Sequence, residues 1–366
     1  MFENREPQGA TKKPKLSFTK LAAVQAAKAG PAIELQGVPQ AAPVHPAADR
    51  RQLHSSACDY LRQVFYAVRN HKGFSLGHGL AILQEMAANP PAPDELFIAA
   101  LHLDDRNRFA IHHSVNVAVY AVKMAQDLGF DRDRQVQIGM AGLLHDLGMA
   151  LIPENIVYKQ SPLEPKEMAA LKNRPNAAYT ILHSLPPEYA YMAECAAQVY
   201  ERLDGSGYPR GLKSDEIHEF AQIIGLLDLY EALVHSRPNR EKLSFFEAVK
   251  YIFKSCKTQF QRHYMKSLLR VFTVFPIHSY VQLNSEAFGR VIETSAEQPM
   301  RPRLQIIYDS QRRKVLTERV VSLAEAPLLN IVRSVSEKEI QDLVEGLAAA
   351  HHPSEEGGQT VAEPIV

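Results

Sequence analysis

Apolar residues recur at helical spacing through most of the chain. Leu61, Val64, Phe65 and Val68 form one stripe, and Leu80, Leu83 and Met86 another. Steps of three and four residues bury one face of a helix. Pro90, Pro91 and Pro93 break the pattern, and Asp94 is placed to cap a helix reaching Leu101. From Phe109 to Leu128 the residues Val117, Tyr120, Ala121, Met124 and Leu128 share a face with His113, and Gly129 ends the run. Val136, Gly139, Met140, Leu143 and Leu144 repeat the spacing. They predict a buried helix that stops at His145 and Asp146.

Ser161 to Glu164 reads as a capping box with proline at the first helical position, opening a helix to about Lys172. Pro175 starts another helix. A further one is predicted from Glu188 to about Leu203. It must stop at residues 204–211 (DGSGYPRG), where three glycines and a proline forbid a helix. Helix returns over 216–234, with Asp228 set among Ile223, Ile224, Leu227, Ala232 and Leu233. Ser244 and Glu247 make a second capping box, and two more helices run to about Phe275. After Pro276 the period falls to two: Tyr280, Gln282 and Asn284 alternate with Val281 and Leu283. Short extended runs at 291–293 and 304–308 complete a β-appendage of three or four strands.

The expected fold is therefore mainly α, a helical bundle with a small C-terminal β-appendage. Residues 1–50, rich in Ala, Pro, Gln and Lys, read as a disordered arm. Residues 51–104 form an N-terminal helical segment, 105–278 the main helical domain and 279–325 the appendage. Residues 326–366 read as a helical turn and a disordered tail. A length of 366 residues and 46% apolar content allow a substantial core. Lys+Arg and Asp+Glu both number 41, so no net field favours nucleic acid or an anionic membrane. Cys58, Cys195 and Cys256 are too scattered for a zinc spacing or a disulfide framework. No apolar run approaches the roughly 18 residues of a membrane span. The N-terminal stretch lacks a signal-peptide core, and a cytoplasmic location is expected.

Four polar residues stand on otherwise apolar helical faces: His113, His145, Asp146 and Asp228. Each could be a satisfied core group, and His145 with Asp146 could simply cap a helix end. Burying a carboxylate among apolar neighbours is costly unless something pairs with it. Together the four offer two imidazoles and two carboxylates, a donor set that suits one divalent ion.

The order His113, then His145–Asp146, then Asp228 resembles the HD superfamily of metal-dependent phosphohydrolases. Residues 144–153 (LHDLGMALIP) resemble the HD motif of its HD-GYP subfamily, and 201–211 (ERLDGSGYPRG) closely match the GYP motif. Residues 227–233 (LDLYEAL) and 236–240 (SRPNR) resemble the closing helix and the loop after it. The similarity runs from about residue 105 to 325. It implies an HD-type helical bundle, a role in cyclic di-GMP signalling, metal ligation by His113, His145, Asp146 and Asp228, and catalysis centred on His145 and Asp146. It places Arg237 and Arg240 near substrate phosphates. The family uses two or three iron or manganese ions, and some members act by binding alone.

The chain departs from that pattern at four positions. Met149 stands where the family has lysine, and Arg174, Val199 and Tyr200 stand where it has metal-binding histidines. The resemblance thus implies one iron or manganese ion, a lost second site, and a regulator with weak or no hydrolysis. An active phosphodiesterase, or a one-metal phosphohydrolase on another ester, is the alternative. Arg174 could grip phosphate with its two-pronged guanidinium, or be a surface arginine. Gly207, Tyr208 and Pro209 of the loop could dock a signalling protein. Expected partners are cyclic di-GMP or a related nucleotide, such a protein, and a second copy of the chain.

Overall fold

The computed structural model describes residues 50–88, 100, 109–235, 242–272, 275, 277–295, 297–317, 319–336 and 339–342. The expected arm over 1–50, the helix begun at Asp94, and Arg237 and Arg240 fall wholly or almost wholly outside them.

Helix α1 (Arg50–Arg69) and α2 (Gly77–Ala88) lead into α3 (Phe109–Asp127) and α4 (Arg132–Leu144). Every residue of α3 from His113 to Ala125 is buried. A helix covered on all sides belongs at the centre of a bundle, and α3 packs against α1, α2, α4 and, further along the chain, α9 (Glu219–Val234) and α11 (Arg262–Val271). Asp131 caps α4, accepting the backbone N–H of Arg134 at 2.8 Å. A short 3-10 turn, Leu147–Leu151, follows the His-Asp pair, then the single turn α5 (Glu154–Val157).

The local helix starts shift where two signals compete. The capping box expected at Ser161 forms at Glu164 with Glu167, so α6 runs Pro165–Lys172. Pro165 supplies the fixed φ and the missing N–H that favour a first helical position. Helix α7 covers Arg174–Leu182 and α8 covers Ala190–Gln198. The latter stops short of the expected Leu203 because the backbone turns at Val199 and Tyr200 into the glycine-rich loop. Ser244 and Glu247 form the expected box at the head of α10 (Phe245–Ser255).

His218 is the cap of α9, its Nδ1 accepting the N–H of Phe220 at 3.1 Å. Burial lowers its pKa, as befits an imidazole that must stay neutral to accept. A histidine with a depressed pKa contributes stability that is complete above about 6.5 and is lost as pH falls through its folded value. Wild type should therefore lose about 1 kcal/mol at this cap on acidification. His218→Asn, a cap that does not titrate, should remove that increment from the pH dependence of thermal unfolding.

Strands β1 (Tyr280–Leu283), β2 (Phe288–Glu293), β3 (Arg303–Tyr308), β4 (Val320–Ser322) and β5 (Ile331–Val335) form one antiparallel sheet in the order β4-β3-β2-β1-β5. The sheet thus has five strands and runs beyond residue 325. Strand β5, which lies in the stretch expected to hold a helical turn, pairs along β1 with a bulge at Gln282 and Leu283. Ile331 and Val335 are its buried residues, and the positions between them are half-buried or exposed. Val281, Leu283, Val291, Leu304, Ile306 and Ile331 join the apolar core that continues through the helices.

Candidate metal centre

The three elements that carry the four polar residues meet at the middle of the bundle. His113 comes from α3, His145 and Asp146 from the end of α4, and Asp228 from α9. All four are buried. His113 Nε2 lies 2.9 Å and His145 Nε2 3.3 Å from the same oxygen, Asp228 Oδ1. Ligand atoms of His113, His145 and Asp146 lie within 4.8 Å of one another. The residues read from the sequence as a set are brought together.

The hydrogen bonds around the set orient it toward a cation. His145 Nδ1 donates to Gly142 O at 2.7 Å, so in the neutral ring Nε2 carries a lone pair. That lone pair faces a carboxylate oxygen, which is repulsive unless a proton or a cation stands between them. His113 Nδ1 is held by Glu231 Oε2. A carboxylate on the outer nitrogen is the arrangement that fixes and enriches metal-binding imidazoles. Burial alone would lower the pKa of His113, but Glu231 and Asp228 outweigh it and raise it to about 9. Burial likewise opposes ionisation of Asp228, and the two histidines hold its carboxyl well below the usual range. Asp146 Oδ1 is buried and accepts no aligned hydrogen bond. The donor set fits a divalent ion.

Arg174 is drawn into the same place. Its Nε lies 2.8 Å from Asp146 Oδ1, an ion pair by distance without hydrogen-bond alignment. The guanidinium sits 4.5 Å from the centroid of the Tyr200 ring, and its Nη2 and Nε donate to Tyr200 Oη at 2.5 and 3.2 Å. Burial works against its charge, but Asp146 more than compensates. Arg174 is thus a half-buried cation turned toward the centre, not a surface arginine. Met149 and Val199 are buried and carry no charge.

Gly148 makes this placement of Arg174 tolerable. A Cβ there would stand 2.1 Å from Arg174 O. Gly148→Ala should therefore push α7 away from the centre and cost about 1–3 kcal/mol, read as a lower thermal midpoint.

The glycine-rich loop folds back onto the site. Glu201, buried, accepts backbone N–H groups of Arg210 at 2.7 Å and Leu212 at 2.9 Å. A Cβ on Gly207 would lie 2.4 Å from Glu201 Cα, so close approach is what requires glycine there. Tyr208 stacks flat on Tyr200 with centroids 5.1 Å apart. The ring expected on an exposed docking surface is half-buried and turned inward, as is Gly207 in part, and Pro209 stays exposed.

Sequence reasoning passed over two residues. Glu231 lies three positions after Asp228, on the same face of α9, and that spacing was the available signal. Asn116, three after His113, donates from Nδ2 to Glu231 Oε1 at 3.1 Å. Both are buried and hold His113 in place.

Residues 99–263 match the HD domain model, and 280–343 match a KOW domain associated with the HD domain. Residues 99–263 thus carry an HD domain, and the chain is distantly similar to cyclic di-GMP phosphodiesterases. It is 24% identical over 267 residues to a cyclic di-GMP phosphodiesterase of Pseudomonas aeruginosa, covering 72% of this chain and 63% of that one. It is 29% identical over 190 residues to the 3′3′-cGAMP-specific phosphodiesterase 1 of Vibrio cholerae, covering 51% and 44%. The HD chain therefore spans less than two thirds of the length of these relatives. Among solved structures, Bd1817, a HDG"Y"P protein from Bdellovibrio bacteriovorus, matches with a TM-score of 0.50 at 16% identity, over 60% of this chain and 71% of that one. That likeness is one of fold. No helix among the described residues of the HD protein is long and apolar enough to cross a membrane.

Proposed function

We propose that this HD module binds a cyclic dinucleotide, cyclic di-GMP or 3′3′-cGAMP, at a one-metal centre and acts as a regulatory receptor with little or no hydrolysis. The observation that carries the reading is Arg174. Its guanidinium pairs with Asp146 and lies over Tyr200, at positions the HD-GYP pattern gives to ligands of a further ion. His113, His145, Asp146 and Asp228 would hold one iron or manganese ion. When bound, that ion supplies Lewis acidity toward a phosphate oxygen and lowers the pKa of water. Arg174 would grip a phosphate with a charge that does not titrate, joined, as the family resemblance implies, by Arg237 and Arg240. Tyr208, stacked on Tyr200, offers an aromatic wall beside the guanidinium. Pro209 would remain available to a protein partner.

Isothermal titration of the full chain with each nucleotide, in the presence of Mn²⁺, tests this reading. The expected result is one nucleotide bound per chain, recovered intact by chromatography afterwards. Absence of binding to both nucleotides would remove the receptor reading. Conversion of the ligand through many turnovers would replace it with an active phosphodiesterase.

A further inference from the structure

A second set of metal-ligating side chains lies outside the centre described above. His54 and Cys58 are one turn apart on α1, and His112 stands on α3. Their ligand atoms lie within 4.8 Å of one another. His112 is half-buried and stacks on His54 with centroids 5.9 Å apart. Cys58 Sγ is 3.7 Å from His54 Nδ1 and 3.8 Å from His112 Nδ1. A sulfur and a nitrogen bound to one tetrahedral zinc ion, at the usual bond lengths, stand about 3.6 Å apart. One thiol proton can serve only one of the two imidazole nitrogens. An ion would serve both.

The surrounding hydrogen bonds set the tautomer that ligation needs. Asn116 gives its amide N–H to Glu231, so its Oδ1 faces His54 Nε2, at 2.9 Å, and must accept from it. His54 Nδ1 therefore keeps its lone pair, on the side of Cys58. An imidazole whose outer N–H is held by a carbonyl oxygen is characteristic of metal-binding histidine. Burial, aided by His112 and His235, lowers the pKa of His54 to about 4, so the ring is neutral at pH 7. Burial pushes the Cys58 thiol up to about 12. It is inert as a thiol, and binding an ion would release its proton. His235, at the end of α9, directs Nδ1 at Glu231 and leaves a buried Nε2 with no hydrogen-bond partner among the described residues.

We propose that His54, Cys58 and His112 form a second metal site, with its fourth position taken by water. Thiolate with imidazole selects zinc or another borderline divalent ion, in contrast to the carboxylate-containing set around Asp228. The ion would tie α1 to α3. It would also brace Asn116, which supports Glu231 and through it His113. The site does not depend on the proposed nucleotide function.

Titration of the full metal-free chain with Co²⁺ separates the two centres. Only the site at Cys58 has a sulfur ligand, so thiolate-to-cobalt charge-transfer absorption reports it alone. The expected result is a band that saturates at one ion per chain and is displaced by Zn²⁺. It should persist in Asp146→Ala and in Cys195→Ala. It should vanish in Cys58→Ser and need at least about tenfold more cobalt in His112→Gln. Absence of the band in wild type, or its survival in Cys58→Ser, overturns the proposal. If Cys58→Ser does not fold, X-ray absorption of the zinc-loaded wild type decides. One Zn–S distance near about 2.3 Å supports the site, and a shell of nitrogen and oxygen alone overturns it.

Discussion

Cyclic di-GMP given to the purified chain with Mn²⁺ or Fe²⁺ is expected to be hydrolysed at least about 10²-fold more slowly than by HD-GYP enzymes with a full ligand set. Cleaving a phosphodiester needs its nucleophile generated and its leaving oxygen stabilised. Two ions clamp both oxygens at once. Here His113, His145 and Asp146 hold ligand atoms within 4.8 Å of one another, both histidines reach Asp228, and the adjoining ground is held by a guanidinium. Arg174 can hold a phosphate, but as a hydrogen-bond donor it is a weaker acid toward a departing alkoxide than an ion would be. Loss of one charge-stabilising donor elsewhere costs about 10² to 10³ in rate. Chromatography of linear and fully cleaved products over time measures the effect, and Asp146→Ala should abolish whatever turnover remains. Robust multiple turnover that disappears in Asp146→Ala would make the chain an active enzyme with an unconventional site.

The convergence of the four polar residues was legible because each breaks an apolar helical face, and a buried polar residue must meet something. Pattern and resemblance agreed on which residues those were. The partners of that set were less legible. Glu231 belongs to a run, residues 227–233, whose polar members look ordinary until α9 is laid against α3. Arg174 read as surface or site, because nothing in its own helix fixes which way it faces. Gly148 on a neighbouring turn lets the backbone at Arg174 approach the centre. Tyr208 looked exposed because it sits in a glycine-rich loop, yet buried Glu201 pulls that loop inward through backbone N–H groups. His54, Cys58 and His112 are spread over two helices with no metal-like spacing, so only tertiary packing could assemble them.

Replacing Arg174 with methionine is expected to change three quantities in different directions. Methionine keeps the apolar bulk of the side chain and deletes the charge. In the metal-free protein, Asp146 then stays buried beside Tyr200 with its ion-pair partner gone. Removing one partner of a buried pair costs about 3–5 kcal/mol, so thermal stability should fall. Metal affinity should rise, since a positive charge 2.8 Å from a ligand oxygen competes with any cation sought by that oxygen. Added Mn²⁺ should accordingly restore much of the lost stability, by about 2.7 kcal/mol once it exceeds its dissociation constant a hundredfold. Nucleotide affinity should fall at least about tenfold, as charged hydrogen bonds contribute about 1.5–3 kcal/mol each. Arg174→Lys keeps the charge without the planar fork, and should recover stability more than nucleotide binding. Calorimetry, metal titration and nucleotide titration on the two variants read these effects separately. A bystander arginine would leave all three unchanged. A purely structural one would lower stability and leave nucleotide affinity where it was.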